Sequence, residues 1–146
     1  MNNVSILPPN KGKIISIAPA NPATGANFTF AVPVHTIILP ISFSCIFNTD
    51  ATVSSRVMVV GTFDGARNSF QVASPITQTA GMNLIYHMQA GGNLLSTSLG
   101  FAFQQLNLSG LNFLRFGDSF NTLIYNLQAG DSITSPYFKY MQWIQE

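Results

Sequence analysis

Ile41-Ser42-Phe43-Ser44-Cys45-Ile46-Phe47-Asn48-Thr49-Asp50 is the stretch that decides the fold. Ile41, Phe43, Cys45 and Phe47 alternate with Ser42, Ser44 and, less cleanly, Ile46, and the run then breaks at Asn48-Thr49-Asp50. A period of two sends successive side chains to opposite faces, so the pattern reads as a half-buried strand running into a turn. The same alternation recurs in Phe28, Phe30 and Val32, in Val53, Val57 and Val59, in Leu84, Tyr86 and Met88, and in Leu123, Tyr125 and Leu127. Between these runs lie Asp64-Gly65, Gly91-Gly92-Asn93, Gly117-Asp118 and Gly130-Asp131, which supply Asx turns or positions with φ > 0. Several short strands with such punctuation predict an all-β domain of β-sandwich or jelly-roll-like type.

Working outward, two segments need separate treatment. Residues 1–27 hold Pro8, Pro9, Pro19 and Pro22 with Gly12 and Gly25, and only Lys13 to Ile17 reads as a short strand. They are expected to form an extended N-terminal arm, frayed or draped over a neighbouring subunit, ahead of a sandwich domain spanning 28–146. Between Leu95 and Leu108 the apolar residues fit either a helical stripe or a strand; Gly100 and the flanking serines weaken the helix, so strand is expected. Leu84-Ile85-Tyr86-His87-Met88-Gln89-Ala90-Gly91 is echoed by Leu123-Ile124-Tyr125-Asn126-Leu127-Gln128-Ala129-Gly130, which predicts two equivalent strands in a pseudo-symmetric sandwich.

Composition narrows the function classes. Only 8% of the 146 residues are charged, against about 25% in typical soluble proteins. No apolar run approaches the roughly 18–20 residues of a spanning helix, and a chain 47% hydrophobic with 12 phenylalanines is not disordered. A surface covered by other subunits accounts for the shortage of charge. A net charge of +1, with Lys11, Lys13, Arg56, Arg67, Arg115 and Lys139 scattered, leaves no footprint for nucleic acid. The lone Cys45 forms no intrachain disulfide and sits in an apolar run as a small hydrophobe.

Catalytic groups are hard to assemble from this chain. Asp50, Asp64, Asp118 and Asp131 each fall in a turn signal, where a carboxylate caps backbone N–H groups. His35 and His87 lie on strand-like stretches without metal-ligand spacing. Gly117-Asp118-Ser119-Phe120 and Gly130-Asp131-Ser132-Ile133 resemble an esterase block, but no histidine follows His87 to activate the serine. No catalytic residue, metal or cofactor is expected. Tyr137, Phe138, Tyr140 and Trp143, in a terminal run apolar on both faces, are candidates for a core or an interface with a partner.

Phe47-Asn48-Thr49-Asp50-Ala51-Thr52-Val53-Ser54-Ser55-Arg56, Ser74-Pro75-Ile76-Thr77-Gln78-Thr79-Ala80-Gly81 and Gly130-Asp131-Ser132-Ile133 together carry a likeness. In these short motifs, over roughly the middle two-thirds of the chain, it resembles small accessory virion proteins of tailed bacteriophages, most closely the capsid cement or decoration proteins. The resemblance implies a β-sandwich on a phage head, a trimeric knob contacting the major capsid protein, and no catalytic residues. Localisation on the capsid exterior after synthesis in the host cytoplasm follows from it, with no nucleic-acid or membrane partner. The Pro/Asn-rich N-terminal segment departs from the pattern and leaves the mode of attachment open. A receptor-binding knob of a tail fibre or spike is the alternative. Asp50 and Arg56 are expected to pair, the carboxylate also serving its own turn.

Overall fold

The computed structural model describes residues 11–90, 96–99, 101–107 and 113–145, those from 96 to 107 by their backbone pairing alone. The regular elements among them are all strands: β1 Lys13–Ile17, β2 Thr29–Ala31, β3 Thr36–Asn48, β4 Val59–Phe63, β5 Asn68–Ala73, β6 Asn83–Gln89, β7 Ser96–Leu99, β8 Phe101–Asn107, β9 Leu114–Arg115, β10 Ser119–Thr122 and β11 Ser132–Ile144. They form two sheets, one ordered β1-β11-β3-β6-β8-β7 with β9 on the start of β3, the other β2-β10-β4-β5. Every pairing is antiparallel except β6 with β8.

Setting aside β7 to β9, which lie between β6 and β10 in the chain, the two sheets read β1-β11-β3-β6 and β2-β10-β4-β5. This is the connectivity of an eight-stranded jelly roll. Such a roll puts the connections that follow β1, β3, β5 and β10 at one end of the sandwich. Those that follow β2, β4 and β6 lie at the other.

Alternation decides which side chains enter the core. Phe43, Cys45 and Phe47 of β3 are buried, as are Leu84, Tyr86 and Met88 of β6. Their strands pair in register, Phe43 opposite Met88 and Phe47 opposite Leu84. Phe120 of the second sheet meets Phe43 and Phe138 of the first at ring-centroid distances of 5.3 and 4.8 Å, and Phe28 stacks on Phe43 at 4.9 Å. Offset aromatic pairs of this kind add about 0.5–1.5 kcal/mol each beyond the area they bury.

The two 13-residue strands β3 and β11 form the longest ladder, and it is irregular where proline removes a donor. The register shifts between Lys139 and Tyr140, opposite Pro40, and again between Thr134 and Tyr137, across Pro136. Proline is tolerated within sheets at such bulges.

Three sequence expectations change. The sandwich does not begin at Phe28: β1 pairs with β11 of its own chain from Lys13 to Ile17, and Ile15 and Ile17 pack on the core. Gly25 donates to the Asp131 carbonyl and Ser135 to Asn21 Oδ1, so residues 13–27 are stitched to the domain, while residues 1–10 of the expected arm lie outside the described residues. The echo of β6 at 123–130 is no strand; Leu123 and Tyr125 donate to Val59 and Val57 carbonyls and Ile124 to Asn27 Oδ1, which binds the segment down as a loop. Val53 is 95% exposed on another loop, although alternation placed it on a strand with Val57 and Val59. Within the ambiguous stretch near 95–108, Ser96–Leu99 and Phe101–Asn107 are strands, β7 and β8.

Candidate functional site

The end of the sandwich bearing the connections after β1, β3, β5 and β10 is organised around one fully buried cation. Arg56 precedes β4 and is 0% exposed. Its Nε donates to Asp131 Oδ2 at 3.0 Å and its Nη2 to Asp131 Oδ1 at 2.9 Å. Nη2 also donates to Asp50 Oδ1 at 2.6 Å, and Nη1 to the carbonyls of Thr52 and Ser54 at 2.8 and 3.0 Å. A guanidinium has five N–H donors in a rigid fork, and here all five have acceptors. Asp50 and Arg56, the pair expected from the sequence, therefore stand in direct contact.

Asp131 is the partner that sequence reading missed. It serves the local turn that the sequence predicts, since Gln128 N–H donates to its Oδ2 at 2.8 Å. Yet the carboxylate is completely buried, and its Oδ1 also accepts the backbone N–H of Asp50 at 2.9 Å. Burial pushes this carboxyl up, but the hydrogen bonds from Arg56 and from the Gln128 and Asp50 backbone outweigh it and hold the group below its ordinary value. Asp50, partly exposed, closes its own turn by accepting Thr52 N–H at 2.9 Å and the Thr52 hydroxyl at 3.0 Å.

Gln78 extends the network to the loop after β5. Its backbone exchanges two hydrogen bonds with Arg56 at 2.9 and 2.8 Å. Its side-chain Nε2 donates to the carbonyls of Phe47 and Met82, both at 2.8 Å, and its Oε1 accepts the Tyr86 hydroxyl at 3.3 Å. Gly81 donates to the Asp50 carbonyl and Gly25 to that of Asp131. Residues from all four loops at this end thus belong to one hydrogen-bonded unit. Its chemistry is cohesive: one cation lies between two carboxylates, and both are engaged by Arg56 and by backbone donors.

The chain matches no protein-family model, no curated protein and no solved structure.

The four aromatic residues that are candidates for a core or an interface divide three to one. Phe138 and Tyr140 point into the core, with rings 5.2 Å apart, and Phe30 lies 4.9 and 5.3 Å from them. Trp143 is buried against Phe113, at 5.5 Å and nearly perpendicular. These three serve the chain's own packing and leave little surface for a partner; Tyr137, on the other face of β11, is exposed. Cys45 is buried, and desolvation pushes its thiol up to about 12. Among the described residues no three of His, Cys, Asp and Glu stand close enough together to hold a metal ion, and no helix is long and apolar enough to cross a membrane.

Proposed function

We propose that this chain is a structural, non-enzymatic virion protein, a capsid cement or decoration protein that stabilises a phage head through subunit contacts. The observation that carries the reading is a convergence. Three motifs that give the sequence its likeness to phage accessory proteins lie at 47–56, 74–81 and 130–133. Their residues Asp50, Arg56, Gln78 and Asp131 meet in the single network that closes one end of the sandwich. A likeness spread over separate stretches gains weight when those stretches cooperate in one structural device.

Two further features support it. Double-sheet jelly rolls are a recurrent architecture of viral capsid and lectin domains, though a fold alone assigns no function. The low charge and mixed polar surface suit a subunit held among other subunits, where apolar contact contributes roughly 25 cal/mol per Å² before ordering costs are subtracted. On this reading copies of the chain, trimers first among the candidates, bind the major capsid protein on the outside of the head, and multivalency across the lattice strengthens each weak contact.

Copy number tests the proposal. Quantitative mass spectrometry of purified native particles is expected to find the chain among the most abundant virion proteins, at a fixed ratio to the shell subunit. Absence from particles, or a few copies each, would overturn it. A scarce protein would instead suit a receptor-binding knob of a tail fibre or spike, for which the exposed Val53 and Tyr125 on adjacent braced loops are the favouring observation.

A further inference from the structure

Hydrogen-bond parity shows which backbone groups β1, the outermost strand of the larger sheet, leaves free. Gln145 N–H donates to the His35 carbonyl, one residue beyond the pair Ile144 and Thr36. In an antiparallel ladder the bonding side alternates along the strand. Between Phe138 and Ile144, odd-numbered residues of β11 therefore bond towards β3 and even-numbered ones towards β1. Gln142, Tyr140 and Phe138 stand opposite Lys13, Ile15 and Ile17, so these three residues of β1 face β11. Gly12, Ile14 and Ser16 turn their N–H and C=O groups the other way. Among the described residues none bonds to those groups.

A bare sheet edge templates another chain, and proteins blunt it with short strands, proline, bulges or charge. At β5 the outward residues are Gln71 and Ala73, because Ser74 N–H donates inward to the Met58 carbonyl; the row is cut by Pro75 and by the register shift beside Asn68. β2 is only three residues long. The guard on β1 is charge. All three lysines of the chain lie on or beside it: Lys11 and Lys13 are exposed at its start, and Lys139 stands directly opposite Ser16. Among the described residues none of the three pairs with a carboxylate. Asp50 and Asp131 are engaged by Arg56, and Asp64 and Asp118 accept backbone N–H groups in turns.

We propose that the free edge of β1 takes an extended segment of a partner protein as an added strand, one in which carboxylates alternate with apolar side chains. Lysines on the edge set like charges against β1 of a second copy and oppose that pairing, whereas a carboxylate beside Lys13 meets an opposite charge. The alternation follows from the pleat. Lys13 shares the face of Ile15 and Ile17, while Ile14, 53% exposed, lies on the other face with Ser16. An incoming strand thus meets a cation on one face and a bare apolar side chain on the other. Main-chain bonds supply the attachment, and side chains supply the choice of partner. The assignment holds whether or not that partner belongs to a phage head.

Amide NMR of the isotope-labelled full chain tests this. The probe is a blocked peptide of alternating valine and glutamate, with a twin that carries lysine in place of glutamate. In the free chain the Gly12, Ile14 and Ser16 amides are expected to exchange rapidly with solvent. The glutamate peptide is expected to shift and protect these three, and to bind several-fold more weakly as salt rises from about 50 to about 500 mM. The lysine peptide is expected to leave them unmoved. Ser16→Pro removes an outward N–H and keeps the bonds to β11, a change tolerated on the solvent side of an edge strand; it should weaken binding about tenfold. Gln71→Pro, the same change on the β5 edge, should leave binding as it was. Lys11→Glu with Lys13→Glu, altered only at exposed side chains, should transfer the preference to the lysine peptide. Thermal melts verify that each variant folds. No shift of these amides with the glutamate peptide, equal binding of both peptides, or a Ser16→Pro variant that binds undiminished overturns the proposal. So does protection of the three amides in the free chain, which would give the edge to the chain itself or to a second copy.

Discussion

Arg56 and Asp131, 75 residues apart in the chain, meet side-on with two parallel hydrogen bonds of 3.0 and 2.9 Å, and both side chains are completely buried. A bidentate guanidinium–carboxylate pair is the strongest and most directional ion pair available to a protein. Taking it out of water is costly, so its net contribution depends on every remaining donor and acceptor being satisfied. Here the carbonyls of Thr52 and Ser54 and the backbone N–H groups of Asp50 and Gln128 complete that satisfaction. The pair thereby converts loops far apart in sequence into one end wall of the jelly roll.

Removing one member strands the other. Asp131→Asn and Arg56→Met are each expected to destabilise the fold by about 3–5 kcal/mol, the cost of leaving a buried charge without its partner. Asp50→Asn is expected to cost less, because Asp50 keeps contact with water and Arg56 retains Asp131. Urea unfolding of the three variants checks the ranking. Equal losses for Asp50→Asn and Asp131→Asn would contradict the assignment of Asp131 as the principal partner.

Gly130 is required for space. A Cβ built on it would lie 2.5 Å from Asp50 Oδ2 and 2.8 Å from Asp50 Cβ. Gly130→Ala is expected to displace the Asp50 carboxylate and lower stability by about 1–3 kcal/mol through overpacking. In an Asp50→Gly background, which removes the carboxylate and its Cβ together, much of that loss should disappear, which a double-mutant cycle measures.

Acid should weaken the same end. The folded-state pKa of Asp131 is held below its unfolded value of about 3.9. A depressed carboxyl contributes stability that is present above the unfolded value and is lost as pH falls through the folded one. Unfolding free energy is therefore expected to decline from about pH 5 downward, with a shallower decline in Asp131→Asn. An identical acid profile in wild type and variant would remove Asp131 as the source.

Cys45 should be chemically silent in the folded protein. Its thiol lies in the core, and burial pushes it up to about 12, so little nucleophilic thiolate forms at neutral pH. Alkylation by a soluble reagent is expected to follow the unfolding transition in denaturant. Fast labelling of native protein would show that β3 opens locally.

Much of the fold was legible in side-chain alternation. Phe43, Cys45 and Phe47, and likewise Leu84, Tyr86 and Met88, point inward as period-two patterning requires. The pattern misled where a segment had the right residues and no ladder to join. Leu123 to Gln128 repeats the chemistry of β6, but its leading N–H groups are taken by Val59, Asn27 and Val57. At Val53 the backbone on either side is held by Arg56 Nη1 through the Thr52 and Ser54 carbonyls, and the side chain is left in water.

The candidate site was half visible for a similar reason. Asp50 and Arg56 lie six residues apart around a turn, so local chemistry suffices to pair them. Asp131 carried only the local signature of a turn aspartate, which it also is. By itself the amino-acid order determined the face each residue of a strand presents, the places where strands must turn, and the scarcity of charge. Those properties depend on a residue and its near neighbours. Tertiary structure alone decided which apolar runs found a hydrogen-bonding edge, and which carboxylate Arg56 took into the interior. Burying an ion is tolerable only where distant groups converge to satisfy every donor, and that convergence exists once the two sheets have closed on each other.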